Sequence, residues 1–151
     1  MKKGANKLSI LVATGLYSPE IGGPATYTEI LERELPRLKI GLKVAPFRYV
    51  RRFPRVIRHL AYFFYLLFKS IGVDVIYALD PVSVGFPAAF VARMMNKRFV
   101  VRIAGDYAWE QGTTRHGITE SLDTFSKKNS GYPRFVLLLK RIQKFDLKKV
   151  L

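Results

Sequence analysis

The strongest constraint on the fold is an apolar run that leads through a glycine pair into a helix. Residues 7–14, KLSILVAT, form a continuous apolar run rich in branched side chains, which is typical of a strand buried on both faces of a parallel sheet. Residues 24–38, PATYTEILERELPRL, have the spacing of an amphipathic helix. Pro36 favours an early end to this helix. The apolar stripe is predicted to contain Ala25, Tyr27, Ile30, Leu31, Leu35 and Leu38.

Strands and helices alternate along the rest of the chain. Alternation at this spacing requires right-handed crossovers and a parallel sheet with helices on both faces. We therefore predict one Rossmann-like α/β domain over residues 1–151. The further strands are predicted at residues 42–50 (interrupted by Pro46), 73–79 and 98–105, and the further helices at 55–70, at 85–96, in short pieces after Asp106, and from Pro133 onward.

The chain is strongly basic, with 26 Lys and Arg against 11 Asp and Glu and a net charge of +15. Such an excess attracts anionic partners, which leaves nucleic acid, phospholipid and sugar nucleotides all open. The basic residues cluster at 48–59, 96–102 and 140–149. A nucleic-acid-binding module is an alternative, but no helix-turn-helix, zinc-finger or RNP pattern is present and the aromatic residues lie mainly in apolar runs. We expect no nucleic-acid partner.

Cysteine is absent, which excludes a disulfide framework and a thiolate zinc site and fits the cytoplasm. The basic start and short apolar run at the N-terminus lack a small-x-small cleavage site, so we interpret them as the first strand rather than a signal peptide. The longest apolar run, LAYFFYLLF at residues 60–68, is shorter than the roughly 20 residues that a spanning helix needs.

The helix at residues 55–70 has two interpretations. A basic amphipathic helix with aromatic residues can lie in an anionic membrane interface, which would place the protein peripherally at the inner face of the membrane. A core helix with a basic solvated edge is the alternative. The broad apolar face would contain Val56, Ile57, Leu60, Phe63, Phe64, Leu67 and Phe68, with Arg55, Arg58, His59 and Lys69 beside it.

The loop after the first strand, TGLYSPEIGGP at residues 14–24, is a candidate ligand site, because ligands of such sheets bind outside the carboxyl ends of the strands. Gly22 and Gly23 allow positive φ and close approach of a ligand. Pro24 suits the first turn of the helix, whose free N–H groups and dipole favour a phosphate. The spacing matches neither the dinucleotide fingerprint nor the P-loop. A simple turn is the alternative.

The loop after the fourth strand, GDYAWEQG at residues 105–112, is the second candidate. Asp106, Tyr107, Trp109 and Glu110 could bind a sugar, because carboxylates accept hydrogen bonds from hydroxyl groups and aromatic faces pack on the C–H faces of a pyranose. Alternatively, Asp106 caps the next helix and Trp109 packs beneath the loop.

Three segments together resemble a known family: ILVATGLYSPEIGGPATYTEIL, DVIYALDPVSVGFPAAFVAR and FVVRIAGDYAWEQG. Over roughly residues 8–145, the chain looks like the N-terminal half of a family 4 (group 1) retaining glycosyltransferase of the GT-B type. The P-x-x-G-G pattern before a helix recurs in that family. The segment GDYAWEQG…RHGITESLDTF is similar to a bacterial subgroup. The resemblance implies two Rossmann-like domains with the active site between them.

The resemblance also implies roles for individual residues. Gly22 and Gly23 would approach the diphosphate and sugar of a nucleotide-sugar donor. Asp106 lies where many members keep a His or Asp near the reacting sugar, so it is the expected catalytic participant; no His is present there. Tyr107, Trp109 and Glu110 would contact the acceptor, which could be a lipid-linked saccharide, a polysaccharide or a small glycoside. No cofactor or metal is expected.

The family's second domain, with its E-x7-E segment and donor-binding basic residues, has no counterpart in these 151 residues. We therefore expect an acceptor-side fragment, whether from a truncated gene, a frameshift or an arrangement with a partner. The prediction is that the purified chain alone does not transfer sugar, because most donor contacts would be missing. Nucleotide-sugar turnover measures this directly, and robust turnover without another protein would contradict it.

Overall fold

The computed structural model describes residues 8–103, 105–128 and 130–147, and within them the strands form one all-parallel sheet in the order β2-β1-β3-β4. The strands are β1 (Ser9–Thr14), β2 (Gly41–Pro46), β3 (Val75–Ala78) and β4 (Arg98–Val101). Helices pack against the sheet, which confirms the predicted Rossmann-like α/β class.

The six helices of the described residues follow the predicted alternation. The first connection leads from β1 to β2, at one edge of the sheet. The second crosses back over β1 to β3, and the third continues in the same direction to β4 at the other edge. Because such crossovers are right-handed, α1 lies on one face, and α2 and α3 lie together on the opposite face. The helices are α1 (Gly23–Arg37), α2 (Arg55–Lys69), α3 (Phe86–Met94), α4 (Tyr107–His116), α5 (Leu122–Lys127) and α6 (Arg134–Leu147).

Strand β1 is the centre of the sheet, paired on one side with β2 and on the other with β3. Leu11, Val12, Ala13 and Thr14 have no exposed surface. Both faces of this strand are therefore buried, which explains why its sequence is a continuous apolar run rather than an alternating one.

The largest core lies between the sheet and the α2–α3 layer. Leu11 and Ile76 from the sheet meet Tyr62 and Leu66 from α2 there. The Tyr62 hydroxyl is fully buried and donates to the Ala45 carbonyl at 2.6 Å. Burial raises the pKa of Tyr62 well above its ordinary value, so the hydroxyl stays protonated as a donor.

A second, smaller core holds the helices after β4 together. Ala108, Phe125, Val136 and Leu139 are buried in it, and Trp109 packs against them. The predicted short helical pieces and the final helix after Pro133 therefore form α4, α5 and α6.

Several boundaries differ from the predictions. Strand β2 ends at Pro46, and a 3-10 turn at Phe47–Val50 replaces the predicted second part of the strand. Strand β4 ends at Val101. Pro36 does not end α1 early, because it falls in the last turn, where only one helical hydrogen bond is lost.

The predicted apolar stripe of α1 is only partly correct. The residues that α1 buries are Ala25 and Thr28, whereas Ile30 and Leu38 are exposed. Thr28 is accommodated because its hydroxyl donates to the Pro24 carbonyl at 2.7 Å, which leaves no unpaired donor.

Two positions on α2 test the division between its buried and exposed sides. We expect Leu66→Ala to lower the free energy of unfolding by about 2–5 kcal/mol, because the side chain is fully buried. Phe68→Ala, at a position that is 71% exposed, should change it by less than about 0.5 kcal/mol. Urea denaturation of the two variants measures both values, and equal losses would contradict the described orientation of α2.

Candidate functional site

The candidate site is the crevice at the carboxyl edge of the sheet between β1 and β3. From β1 the chain continues to β2 on one side, and from β3 it continues to β4 on the other side. The crevice is therefore a topological switch point, where ligands of such sheets bind. The loops after the two strands meet there. A methyl group added to Gly15 would lie 3.1 Å from Asp80 Oδ2.

Gly22 and Gly23, at the start of α1, have different roles. Gly22 has φ of 155°, and a Cβ there would lie 2.7 Å from Leu16 Cδ1, so the position requires glycine. Gly23 is the first residue of α1 and does not have positive φ, so the predicted backbone freedom is used at Gly22 only. A Cβ at Gly23 would meet nothing within 4 Å. The N-terminus of α1 is therefore open on this side.

Two arginines from the turn after β2 hold the loop after β1 in place. The Arg51 guanidinium donates to the Glu20 carboxylate and, at 2.7 Å, to the Gly15 carbonyl. Arg48 donates to the Ser18 carbonyl at 2.6 Å. Two members of the basic cluster at 48–59 therefore bind the loop of the candidate site and hold its conformation.

The Glu20 carboxylate fixes the middle of this loop. It accepts a hydrogen bond from the Tyr17 backbone N–H at 3.1 Å, and its other oxygen pairs with Arg51. The Tyr17 N–H, and then Arg51, lower the pKa of Glu20 below its ordinary value. The carboxylate therefore stays ionised, and it holds the loop, at neutral pH.

An aromatic cleft of about 320 Å³ lies beside the same loop, at the outer edge of β2. The Tyr49 and Tyr65 rings meet edge to face at 6.0 Å, and the Arg48 guanidinium lies 5.5 Å from the centre of the Tyr17 ring. The Tyr17 hydroxyl donates to Glu32 at 2.8 Å. Sequence reasoning missed this cleft, because its residues come from four separate elements. They are Tyr17, Val44, Pro46, Tyr49, Tyr65 and Lys69.

Asp80 borders the crevice directly after β3 and was not predicted as a site residue. Its Oδ1 accepts from the backbone N–H groups of Val82 at 3.0 Å and Ser83 at 2.6 Å, which caps the π-helical turn at Pro81–Gly85. Burial raises the pKa of Asp80, although these N–H groups act in the opposite direction. An Asp-Pro pair at a strand end was the available sequence signal.

A second missed cluster lies on the α1 side of the same sheet edge. The hydroxyl oxygens of Tyr27 on α1 and Tyr77 on β3 are 3.3 Å apart. The Arg102 guanidinium, just after β4, lies 4.4 Å from the centre of the Tyr27 ring. Burial, and then the hydrogen bond with Tyr27, raise the pKa of Tyr77 to about 12.

Two of the residues predicted around Asp106, namely Asp106 itself and Trp109, have structural roles. Asp106 Oδ1 accepts from the Trp109 N–H at 3.0 Å and caps α4, while Trp109 Nε1 donates to the Glu120 carbonyl at 3.0 Å. The capping and packing alternatives are thus confirmed for both residues. Glu110 is exposed, and the Tyr107 side chain lies outside what the structure describes. A role for these residues in catalysis or acceptor binding stays a prediction.

Asp106 borders a cleft to which Gly22 and Gly23 do not contribute. This cleft has a volume of about 470 Å³ and is strongly basic on the α6 side. Its lining residues are Asp106, Ser126, Leu137, Lys140, Arg141, Gln143 and Lys144. Among the described ranges 8–103, 105–128 and 130–147, no group of three His, Cys, Asp or Glu side chains could hold a metal ion.

Asp80 should make stability depend on pH in a defined direction. Because folding raises its pKa, the group contributes stability that is fully present below its ordinary pKa of 3.8 and is lost as pH rises through the folded pKa. Asn accepts the same N–H bonds without titrating. We therefore expect Asp80→Asn to become more stable relative to the parent chain as pH rises from about 3 to about 7.

Thermal denaturation across that range measures this shift, with Asp123→Asn as the control at an exposed helix start. A stability difference that stays constant with pH for Asp80→Asn would contradict the assignment.

Comparisons of the chain with protein-family models, with curated proteins and with solved structures found no match. The fold and the crevice geometry therefore stand on the structure itself. The resemblance to glycosyltransferases stays a prediction carried by the sequence motifs.

Proposed function

We propose that this chain forms the acceptor-side domain of a retaining GT-B glycosyltransferase, which transfers a sugar from a nucleotide-sugar to a saccharide or lipid-linked acceptor. The observation that carries the proposal is the open N-terminus of α1, where Gly22 turns the chain and Gly23 presents no side chain to the crevice. This geometry sits at the ligand-binding edge of the parallel sheet.

The diphosphate of the donor is the group that would approach this opening. Free N–H groups of the first turn and the helix dipole favour a negative charge. In the transfer, the bond between the anomeric carbon and the diphosphate oxygen breaks. The acceptor hydroxyl oxygen bonds to that carbon with retained configuration, and its proton goes to the departing nucleoside diphosphate. Negative charge then grows on the diphosphate, and fixed N–H dipoles stabilise it most in the transition state.

The aromatic cleft beside the same loop supports an acceptor of saccharide type. Tyr17, Tyr49 and Tyr65 line the cleft with aromatic surface of the kind that packs on pyranose C–H groups, and Lys69 can donate to sugar hydroxyls. Arg48, which lies over the Tyr17 and Tyr49 rings, is a second donor at the same place. Trp109 is less suited to this task, because its indole N–H donates to the Glu120 carbonyl and its side chain packs against the second core. The catalytic role of Asp106 rests on the family resemblance alone, because its side chain caps α4 and borders the separate basic cleft rather than the crevice between β1 and β3.

Gly23→Ala tests the proposal without disturbing the fold. A methyl group at Gly23 meets open space in the free protein, so we expect stability to change by less than about 1 kcal/mol. If the diphosphate approaches this backbone, the methyl group should weaken binding of UDP-glucose or GDP-mannose by about tenfold or more, which is ~1.4 kcal/mol.

Isothermal titration with each nucleotide-sugar and with inorganic pyrophosphate measures the affinities. Leu38→Ala, an exposed and uncharged position at the far end of α1, is the matched control and should bind as the parent chain does. The proposal fails if the parent chain binds none of the probes, or if Gly23→Ala binds them with unchanged affinity.

A further inference from the structure

The cleft that Asp106 borders, which we call the basic cleft, has the size and the charge of a ligand site. Its volume of about 470 Å³ lies within the range of small-molecule sites. Asp106 and Ser126 contribute to its lining from the start of α4 and from α5, and the other described lining residues come from α6. Lys140, Arg141 and Lys144 lie on one face of α6, because they follow each other at helical spacing.

Gln143 is the buried polar residue of the basic cleft. It is 8% exposed, and its Oε1 accepts a hydrogen bond from the Ala108 backbone N–H at 2.9 Å. That bond fixes the orientation of the amide group. The amide Nε2 donates no hydrogen bond within the described part of the chain, and it is not sealed from solvent. Because Gln143 lines the cleft, its N–H groups are left for a ligand that accepts hydrogen bonds.

Lys140 is held at the basic cleft by α5 and the residue after it. Its ammonium group donates to the Phe125 carbonyl and, at 2.6 Å, to the Lys128 carbonyl, which leaves one of its three N–H bonds unused. It also lies 4.4 Å from the centre of the Phe125 ring. Burial lowers the pKa of Lys140, and the charge of Asp106 acts in the opposite direction. The ammonium and the carboxylate therefore interact.

Arg141 and Lys144 are the exposed cations of the same cleft. Within residues 8–103, 105–128 and 130–147, no ion pair involves either side chain. A planar guanidinium matches two oxygens of a phosphate, and an ammonium adds a further charged donor. Together with the Gln143 amide and the third N–H of Lys140, they provide donors for one anionic group.

Asp106 adds a second requirement for the ligand. Its Oδ1 accepts the Trp109 N–H, whereas its Oδ2 accepts no hydrogen bond from the residues that the structure describes. A ligand that is anionic throughout would be repelled by this carboxylate, but a hydroxyl group can donate to it. The cleft is therefore complementary to a molecule that carries both a phosphate and hydroxyl groups.

We propose that the basic cleft binds a phosphate monoester of a hydroxylated small molecule, of which a sugar phosphate is the simplest form. The phosphate accepts hydrogen bonds from Arg141, Lys144 and the Gln143 amide, and a hydroxyl group of the ligand donates to Asp106. The inference does not depend on the proposed glycosyltransferase function, because Gly22 and Gly23 do not line this cleft.

Two other interpretations of the cationic face of α6 fit less well. A merely solvated face explains the exposure of Arg141 and Lys144, but it leaves the buried Gln143 amide without an acceptor. A nucleic-acid backbone would bring successive phosphates to the cleft, where the Asp106 carboxylate opposes them. A phosphate joined to hydroxyl groups satisfies the cations, the amide and the carboxylate together.

Isothermal titration of the full chain with glucose 6-phosphate, inorganic phosphate and glucose tests the proposal. We expect glucose 6-phosphate to bind more tightly than inorganic phosphate, because its hydroxyl groups add the contact with Asp106, and glucose to bind most weakly. The double variant Arg141→Gln/Lys144→Gln should weaken binding of glucose 6-phosphate by about tenfold or more, because two charge-assisted contacts to the phosphate are lost.

The matched control is Arg52→Gln/Arg93→Gln, which removes two exposed positive charges outside the basic cleft. It should bind glucose 6-phosphate as the parent chain does, and circular dichroism of both double variants should report a folded protein. Gly23→Ala should also leave this affinity unchanged, so failure of the present inference is distinguishable from failure of the proposed function.

Asp106→Asn tests the carboxylate separately, because Asn can still accept the Trp109 N–H. It should strengthen binding of inorganic phosphate and reduce the preference for glucose 6-phosphate. A further titration with dihexanoyl phosphatidic acid distinguishes the source of the phosphate monoester. Tighter binding than glucose 6-phosphate assigns the site to a lipid headgroup, and weaker binding assigns it to a free sugar phosphate; either supports a phosphate site.

The proposal is overturned if the parent chain binds neither phosphate probe, or if both double variants lose affinity equally. It is also overturned if glucose 6-phosphate binds no more tightly than inorganic phosphate.

Discussion

The burial of the central strand β1, which lies between β2 and β3, is the constraint on which the rest of the structure depends. Residues 11–14 have no exposed surface, so helices must cover both faces of the sheet. The connection from β1 to β2 and the connection from β3 to β4 run in opposite directions from this centre. That divergence opens the crevice between the loops after β1 and β3. The position of Gly22, the start of α1 and the approach of Gly15 to Asp80 all follow from it.

The large basic excess has several distinct uses. Arg48 and Arg51 are engaged within the fold, where they hold the loop after β1. Arg102 lies over the Tyr27 ring at the sheet edge. Other cations, among them Arg52 and Arg93, are exposed on the surface. Net charge alone therefore could not identify a partner, whereas the placement of individual arginines separates a site-ordering group from a surface group.

The order of strands and helices could be predicted from sequence because each element carries its own period and its own end signals, as with the glycine pair and Pro24 at the start of α1. The missed features depend on contacts between distant elements. Tyr77 meets Tyr27 only because β3 pairs with β1 in a particular register. Opposite sides of α2 are both apolar, so the periodicity of the sequence could not decide whether Leu66 or Phe68 faces the core. Asp106 and Trp109 fitted two roles equally well until the cap and the indole hydrogen bond were located.

The central claim is that the crevice between β1 and β3 receives the diphosphate of a nucleotide-sugar. Amide chemical-shift mapping of the isotope-labelled chain during titration with UDP-glucose or GDP-mannose tests it most directly. The account predicts that the largest shifts cluster in residues 15–26 and 79–85, on the two loops that meet at this edge. Shifts confined to the basic cleft between α4 and α6, or spread evenly over surface lysines and arginines, would contradict it.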